Sequence, residues 1–207
     1  MSAEIAEYTT PATAEQLEQI AERLRQRNFE VVIVDDGVQA KAEVMKRLPE
    51  GAEVHSAKSK TMEDIGVFKE LMDSDRYTFL RKQFMKMDRA TQAREMRKLV
   101  AAPDFELGSV HAITEAGQLV EASASGSQMG PYSAASGHLI LVVGSQKIVP
   151  DLDAALRRIR DYVTPYEDAR LREQMGIGTK VARVLVMELD FMPGRTTVIL
   201  VREPVGI

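Results

Sequence analysis

The stretch FEVVIVDDG, residues 29–37, decides the fold class. Its β-branched run predicts a strand that ends at Val34, and the Asp-Asp-Gly that follows predicts a turn. Apolar residues at helical spacing stand on both sides of it, at Leu17, Ile20, Ala21 and Leu24 before the strand and at Val38, Ala42, Met45 and Leu48 after it. Helices that alternate with a continuous aliphatic strand favour an α/β fold with a parallel sheet covered on both faces.

The rest of the chain continues this alternation. Helices are predicted over 61–72 and from Asp151 to 163, with Pro165 breaking or restarting the second one. The order predicts one α/β domain over residues 13–207, opened by a capping box at Thr13 and preceded by an N-terminal tail, residues 1–12. Further strands are predicted over residues 53–56, 109–114, 118–122, 138–143, 182–191 and 196–202.

Composition excludes several kinds of site. The chain has three histidines and no cysteine, so thiolate nucleophiles, disulfides, cysteine zinc sites and iron–sulfur clusters ligated by this chain are ruled out. We therefore expect no metal and no cofactor held by this chain. The net charge of −4 argues against a nucleic-acid binder. The longest aliphatic run, residues 139–143, is far shorter than the ~20 residues of a membrane helix, and the N-terminus lacks the pattern of a signal peptide. We expect a cytoplasmic protein that does not insert into membranes.

The least typical segment is strongly basic. Residues 76–98 contain eight Lys or Arg residues and two acids, although the whole chain is acidic. Apolar stripes predict a helical excursion over about 73–102 with a break near Asp88, because residues 88–94 lack apolar anchors. Two interpretations stay open: a solvated helical surface, or an arm that covers an anionic ligand or forms a homodimer contact.

Three loops have the composition of anion-binding loops. Residues 122–137 contain twelve Gly, Ser or Ala among sixteen and follow a predicted strand, and the Gly-Ser-Gln triplet at 126–128 recurs at 144–146. A third loop, 58–61, leads from a strand into a helix. Small residues, hydroxyls and backbone amides suit phosphate or carboxylate, and the ends of parallel strands are the usual ligand site. The alternatives are flexible loops and exposed turn lysines. The candidate ligand-binding residues are Lys58, Ser59, Lys60, Thr61, Ser125, Gly126, Ser127, Gln128, Gly144, Gln146 and Lys147.

The catalytic residues are not determined by the pattern. Glu115 and Glu121 are weak candidates, since a carboxylate can act as a general base or as a nucleophile. An exposed turn glutamate is the plain alternative for Glu115. His111 and His138 lie beside predicted strands and fit packed or surface positions as well as any catalytic one.

The order of the short motifs resembles the LUD domain family, the relatives of lactate-utilisation proteins B and C. The resemblance covers about residues 13–205. Two segments depart from the family pattern: residues 124–128 read Ala-Ser-Gly-Ser-Gln, and residues 114–117 read Thr-Glu-Ala-Gly. Any side-chain role of the replaced residues is therefore not carried over. The motifs are residues 59–66, 86–98, 108–112, 126–128, 142–144, 146–153 and 193–196.

The resemblance implies a Rossmann-like α/β sheet of the type shared by phosphosugar isomerases and CoA transferases. It also implies a link to lactate oxidation, through a complex whose iron–sulfur subunits carry the electrons. Three hypotheses follow. The protein binds a small organic anion or a nucleotide-like ligand in organic-acid metabolism; it is a stand-alone isomerase-like or CoA-transferase-like enzyme that uses a carboxylate; or it is a non-catalytic partner subunit. Whether it is an enzyme is left open by the sequence.

Overall fold

The computed structural model describes residues 7–57 and 59–207. Its strands are β1 (Glu30–Val34), β2 (Glu53–Ser56), β3 (Thr78–Phe79), β4 (Phe105–Gly108), β5 (Ala112–Thr114), β6 (Leu119–Ser123), β7 (His138–Gly144), β8 (Ile148–Val149), β9 (Arg183–Met187) and β10 (Thr196–Val201). Six of them form a wholly parallel sheet in the order β1-β10-β7-β4-β2-β3. The predicted Rossmann-like α/β fold is confirmed.

Helices cover both faces of this large sheet. They are α1 (Ala14–Arg25), α2 (Gly37–Lys46), α3 (Lys60–Asp64), α4 (Val67–Asp73), α5 (Leu80–Phe84), α6 (Ala93–Leu99), α7 (Leu152–Arg157) and α8 (Thr164–Met175). The predicted capping box at Thr13 opens α1. None of the helices over residues 7–57 and 59–207 has the length and apolar character needed to cross a membrane.

The central strand β7 shows why its sequence is a continuous apolar run. Leu139, Leu141 and Val143 pack on one face, in the same cluster as α1. Ile140 and Val142 pack on the other face, against α2, α3 and α4. Successive side chains of a strand point to opposite faces, so a strand buried on both faces must be apolar at every position.

The structure also has a second, smaller sheet, which the sequence analysis does not predict. Its strand order is β8-β5-β6-β9, with antiparallel pairing of β6 to both neighbours. Ile113 and Leu119 face the large sheet, whereas Ala112 and Val120 face Ala155 of α7. The sequence does not distinguish the two sheets, because a buried strand has the same apolar pattern in either one. Tertiary packing determines which strands pair.

Three local predictions are corrected. The helix predicted over 61–72 is two helices, because Gly66 between them takes a left-handed conformation with φ of 73°. The strand predicted over 109–114 begins at residue 112, and β4 precedes it unpredicted, since its Glu and Gly conceal the strand pattern. At Pro165 the backbone does not break: a π-helical turn, Arg158–Val163, joins α7 to α8 without a gap.

The basic excursion contains β3, α5 and α6. Its two helices are separated by a non-helical segment over 85–92, as expected for a break near Asp88. The Asp88 carboxylate accepts hydrogen bonds from the Ala90 amide at 2.9 Å and the Thr91 hydroxyl at 2.8 Å. The side chain therefore stabilises the turn that interrupts the helix.

Residues 7–12, part of the predicted tail, lie against the domain. The ring of Tyr8 stacks on Tyr162 with 5.7 Å between centroids, and the Tyr8 carbonyl accepts a hydrogen bond from Arg158 at 3.3 Å. The Ala12 amide donates to the Ser145 carbonyl at 3.3 Å. These contacts attach the start of the described chain to the segment that follows β7.

Arg195 holds one wall of the interior in place. Its guanidinium donates to the carbonyl oxygens of Pro131 at 2.6 Å and Ser136 at 3.1 Å, and pairs with Asp190 at 3.3 Å. The side chains of Arg195 and Asp190 are 11% and 8% exposed. Since buried carbonyls and carboxylates need donors, this one side chain fixes the π-helical turn that carries Tyr132.

We predict that Arg195→Met lowers the free energy of unfolding by about 3 kcal/mol, because a buried carboxylate loses its cation and several carbonyls lose their donor. Urea unfolding measures the change. Arg202→Met is the matched control: Arg202 pairs with Glu18 and Asp35 near the surface, and its loss should change stability by about 1 kcal/mol or less. Equal effects of the two substitutions would contradict the role given to Arg195.

Candidate functional site

A cavity of about 870 Å³ opens where the neighbouring strands β2, β4 and β7 end. Its walls are the segments that leave these three strands, together with the loop after β6, the basic excursion and α8. The carboxyl ends of parallel strands are the usual ligand site of an α/β sheet. The cavity therefore lies where a ligand is expected.

Lys147 is the most buried cation of the cavity. It follows β7 in a single 3-10 turn, and the residue is 2% exposed. Its Nζ donates to the Thr61 hydroxyl at 3.1 Å and to the Ser109 hydroxyl at 3.0 Å. Because Thr61 comes after β2 and Ser109 after β4, this amine joins the ends of three adjacent strands.

The environment of Lys147 favours its neutral form. Burial and, to a smaller extent, the positive charge of Arg158 lower its pKa from 10.5 to about 7. Glu121 and Asp64 act in the opposite direction. Arg158 is itself fully buried and donates to a backbone carbonyl at 2.7 Å. A large share of the Lys147 amine is therefore uncharged at neutral pH.

A second polar group of the cavity is the pair Glu121–His111. His111 Nδ1 lies 2.8 Å from Glu121 Oε2, and Gln128 Nε2 donates to the other carboxylate oxygen at 3.2 Å. Nδ1 also lies 3.1 Å from the Ala122 amide, which donates to it. Because Nδ1 already accepts from the Ala122 amide, Glu121 Oε2 stays buried without a hydrogen-bond partner among the described residues. Glu121 and His111 therefore form a close carboxylate–imidazole pair in which one carboxylate oxygen is left for a further donor.

A second histidine–glutamate pair, His55 and Glu106, lies at the cavity wall. The two residues are in register on β2 and β4, with 2.6 Å between His55 Nδ1 and Glu106 Oε2. Burial raises the pKa of the Glu106 carboxyl, and its hydrogen bond to His55 limits the rise. His55 lines the cavity, so Glu106 is placed to orient its ring. The sequence patterns used above do not predict this pair. Glu106 could have indicated it, because it is a charged residue in the otherwise apolar strand β4.

Tyr132 also lines the cavity and stays uncharged. Burial, with the nearby carboxylates Glu121 and Glu106, raises its pKa well above 10. Its hydroxyl donates to the Ser109 carbonyl at 3.1 Å and accepts from the Ser109 amide at 3.2 Å. This contact holds the backbone beside the Lys147 amine in place.

The cavity is cationic although the chain is acidic. Among the described residues, its lining has six cationic and two acidic side chains, which are Lys60, Arg81, Arg89, Arg97, Lys147 and Arg170 against Glu121 and Glu167. Lys60 and Arg170 are paired with acids, whereas Arg81, Arg89 and Arg97 form no ion pair with any described residue. These three arginines all come from the basic excursion.

Arg81 is the cation of the excursion that is best placed for a ligand. Its Nε atom is buried without a hydrogen-bond partner among the described residues, and its guanidinium lies over the Phe84 ring. Burial and the charge of Arg89 lower the pKa of Arg81, so its charged form is destabilised by its surroundings. An anion bound beside it would satisfy both the donor and the charge.

The structure brings most of the sequence-predicted site residues to one cavity. Ser59, Lys60, Thr61, Ser125–Gln128, Lys147 and Glu121 all line it. The loop 125–128 arrives from β6 of the small sheet and not from a strand of the large parallel sheet.

Some candidates lie elsewhere. Gln146 turns away from the cavity and donates to the Val205 carbonyl at 3.0 Å, and Gly144 packs tightly under the same residue. Glu115 is on an exposed turn outside the cavity lining. Lys58 lies outside the described residues.

The Gly-Ser-Gln loop does not present free amides as expected. The Gly126 amide donates to the Ser123 hydroxyl at 2.9 Å, and the Ser127 amide donates to the Ser125 hydroxyl at 3.4 Å. These two amides are therefore satisfied within the loop. Gly126 has a φ of 78°, and a Cβ there would lie 2.9 Å from the Arg183 side chain, so glycine is required by the turn itself.

We predict that the difference in the free energy of unfolding between Lys147→Met and the wild type depends on pH. Between pH 7 and about 10 the unfolded wild-type chain binds a proton that the native chain lacks, so its stability rises with pH by about 1.4 kcal/mol per unit. The variant lacks this slope. Its stability relative to wild type should therefore be highest at or below pH 7 and should fall towards pH 10.

Urea unfolding at a series of pH values measures this difference. Leu141→Val is the matched control, because it changes a fully buried side chain without removing an ionisable group. Its difference from wild type should not depend on pH. A constant difference for Lys147→Met would show that the amine keeps an ordinary charge in the native protein.

Comparisons with known proteins agree with this fold. A solved DUF162 family protein from Deinococcus radiodurans has a TM-score of 0.52 at 15% identity, covering 92% of this chain and 99% of that chain. At this identity the likeness concerns the fold alone. A search among curated proteins finds no match. The family model of the LUD domain matches residues 17–201, which is most of the chain. The chain therefore belongs to the LUD domain family.

Proposed function

We propose that this protein binds a small organic anion in the cavity and serves organic-acid metabolism of the lactate-utilisation type. The observation that carries the proposal is the charge of the lining: besides Lys147, five cationic side chains against two acidic ones line a cavity in a chain with a net charge of −4. The family association with lactate utilisation supports a carboxylate as the anion.

The contacts suggest how the anion is held. Arg81 offers a planar guanidinium with an unused buried donor, which suits a carboxylate. Arg89 and Arg97 extend the positive field towards the mouth of the cavity and attract anions at a distance. The Ser59 hydroxyl lines the same cavity and can donate to a further oxygen.

The volume sets the size class of the ligand. Ligand cavities are typically about 300–1,000 Å³, and this cavity of about 870 Å³ lies in the upper part of that range. A lactate-sized acid would leave space for a second group. A nucleotide-like anion is therefore the larger ligand class that fits the same charges.

A second candidate function is a stand-alone enzyme of the isomerase or CoA-transferase kind, which uses Glu121. The observation in its favour is that Glu121 is 5% exposed, lines the cavity and has a buried oxygen, Oε2, without a hydrogen-bond partner among the described residues. The other oxygen accepts from Gln128, and His111 Nδ1 lies 2.8 Å from Oε2. A carboxylate with a free oxygen beside an imidazole suits proton transfer.

A partner role is supported by a different surface. In the loop between β9 and β10, Leu189, Phe191 and Met192 are exposed, and Phe191 is 86% exposed. Exposed apolar groups of this kind often mark interaction surfaces. We propose this loop, and as a separate surface the basic excursion, as contacts for a second copy or for the iron–sulfur subunits of a lactate-oxidising complex.

A thermal-shift screen tests the main proposal. Hydroxy acids, oxo acids, phosphosugars, nucleotides and acyl-CoAs are compared at matched concentrations. A ligand at 100 times its dissociation constant adds about 2.7 kcal/mol, which raises the melting temperature by roughly 5–11 °C. We expect shifts from the carboxylates. Shifts from acyl-CoA alone, together with turnover, would favour the second candidate, and no shift from any anion would overturn the proposal.

We predict that Arg81→Gln weakens lactate and pyruvate binding at least about tenfold, because a hydrogen bond to a charged group contributes about 1.5–3 kcal/mol. Isothermal titration at low ionic strength measures the affinity. Arg94→Gln is the matched control, since Arg94 belongs to the same basic segment but lies outside the cavity lining, near Glu95. Equal losses for both variants would show that the segment acts through its total charge and not through a cavity contact.

A further inference from the structure

The buried amine of Lys147 can do more than attract an anion. We propose that Lys147 forms an imine with the carbonyl carbon of a 2-oxo acid bound in the cavity. This inference rests on the proposed function, because the same cavity must hold the carboxylate of the acid. It adds a covalent step and narrows the ligand to acids with an adjacent carbonyl group.

The hydrogen bonds of Lys147 leave its lone pair free. Nζ has two partners among the described residues, the hydroxyls of Thr61 and Ser109 at 3.1 and 3.0 Å. A neutral amine has two N–H groups and one lone pair. Both N–H groups are used by the two hydroxyls, so the lone pair is the group left for a third neighbour. Lys147 lines the cavity, which is where that neighbour would be bound.

The cations of the cavity divide into two kinds. Arg81, Arg89 and Arg97 bear guanidinium groups, which hold anions but are poor nucleophiles. Lys147 is buried beside Arg158, and both factors disfavour its ammonium form. A neutral amine binds a carboxylate weakly but is a good nucleophile towards a carbonyl carbon. The arginines therefore suit the carboxylate of the ligand, and the lysine suits its carbonyl.

The step balances without an added oxidant or reductant. The Nζ lone pair forms a bond to the carbonyl carbon, and a proton passes from nitrogen to the former carbonyl oxygen to give a carbinolamine. Protonation of that hydroxyl releases water and leaves the protonated imine, whose N–H proton then passes to the group that protonated the hydroxyl. Glu121 and His111 line the same cavity with 2.8 Å between Oε2 and Nδ1, and Glu121 interacts electrostatically with Lys147, so we assign this pair to carry the proton from the amine nitrogen to the leaving hydroxyl.

The groups that act on the amine come from several elements. Arg158 of the π-helical turn disfavours its charge, whereas Glu121 of β6 and Asp64 of α3 favour it. Thr61 and Ser109 orient it. The rate of adduct formation should therefore rise with pH through about 7, where the neutral amine becomes the major form.

Reductive trapping tests the proposal on the full chain. The protein is incubated with pyruvate and cyanoborohydride at pH 7, digested, and mapped by peptide mass spectrometry. We expect one reduced adduct per chain, on Lys147. At this pH an exposed lysine of ordinary pKa is neutral roughly three orders of magnitude less often, so surface lysines should react far more slowly.

Three controls make the outcome decisive. Lys60 lies at the same cavity and serves as the internal comparison. Acetone has the carbonyl but no carboxylate, and it should label Lys147 much less than pyruvate does. Lys147→Arg keeps a cation and should give no adduct at the site. Because the wild-type map is the primary result, the test does not depend on the folding of the variant.

The outcomes also separate this inference from the proposed function. Thermal stabilisation by pyruvate without an adduct on Lys147 would overturn the imine and leave anion binding intact. Neither stabilisation nor adduct would overturn both. Labelling spread over Lys60 and the surface lysines would likewise overturn the imine, since it would show no selective amine.

Discussion

The contact of one buried amine with two hydroxyls organises this molecule. Lys147 follows β7, Ser109 follows β4, and Thr61 follows β2, and these three strands are neighbours in the large sheet. Parallel strands end at one edge of a sheet, but the segments that leave them have no reason to stay together. The Lys147 hydrogen bonds hold these three segments together, and the segments form part of the cavity lining.

That contact depends on the layers around it. The helices α1 and α2 cover opposite faces of the sheet, so its central strands are buried on both faces. Low hydration is what disfavours the charge of Lys147 and of Arg158 behind it. A surface lysine in the same sequence context would be an ordinary cation. The reactivity assigned to the amine is therefore a property of the packed fold.

Two further levels of polar structure surround the amine. The pairs Glu121–His111 and His55–Glu106 place acid–base groups at the wall, each as a short contact between neighbouring strand segments. The basic excursion then supplies unpaired guanidinium groups at the mouth. Charge in this protein is thus distributed unevenly: acidic side chains are in excess over the whole chain, whereas basic side chains outnumber acidic ones in the cavity lining. This distribution is what favours an anionic ligand.

The sequence by itself determined the fold class, the capping box at Thr13, the break near Asp88 and the loops that reach the cavity. Each of these follows from local physics: apolar periodicity, a side chain that caps its own helix, or a cluster of small residues beside a strand. Lys147 was among the candidates because it follows a buried strand. The family resemblance rests on motif order and is confirmed over residues 17–201.

Tertiary structure alone decided the rest. The small sheet, the pair His55–Glu106 and the convergence of Thr61, Ser109 and Lys147 all join residues far apart in the chain. A buried strand has the same pattern whichever strand lies beside it, so neither its sheet nor its in-register neighbour can be read locally. The state of an ionisable group depends on burial and on distant charges, and these exist only after the chain has folded.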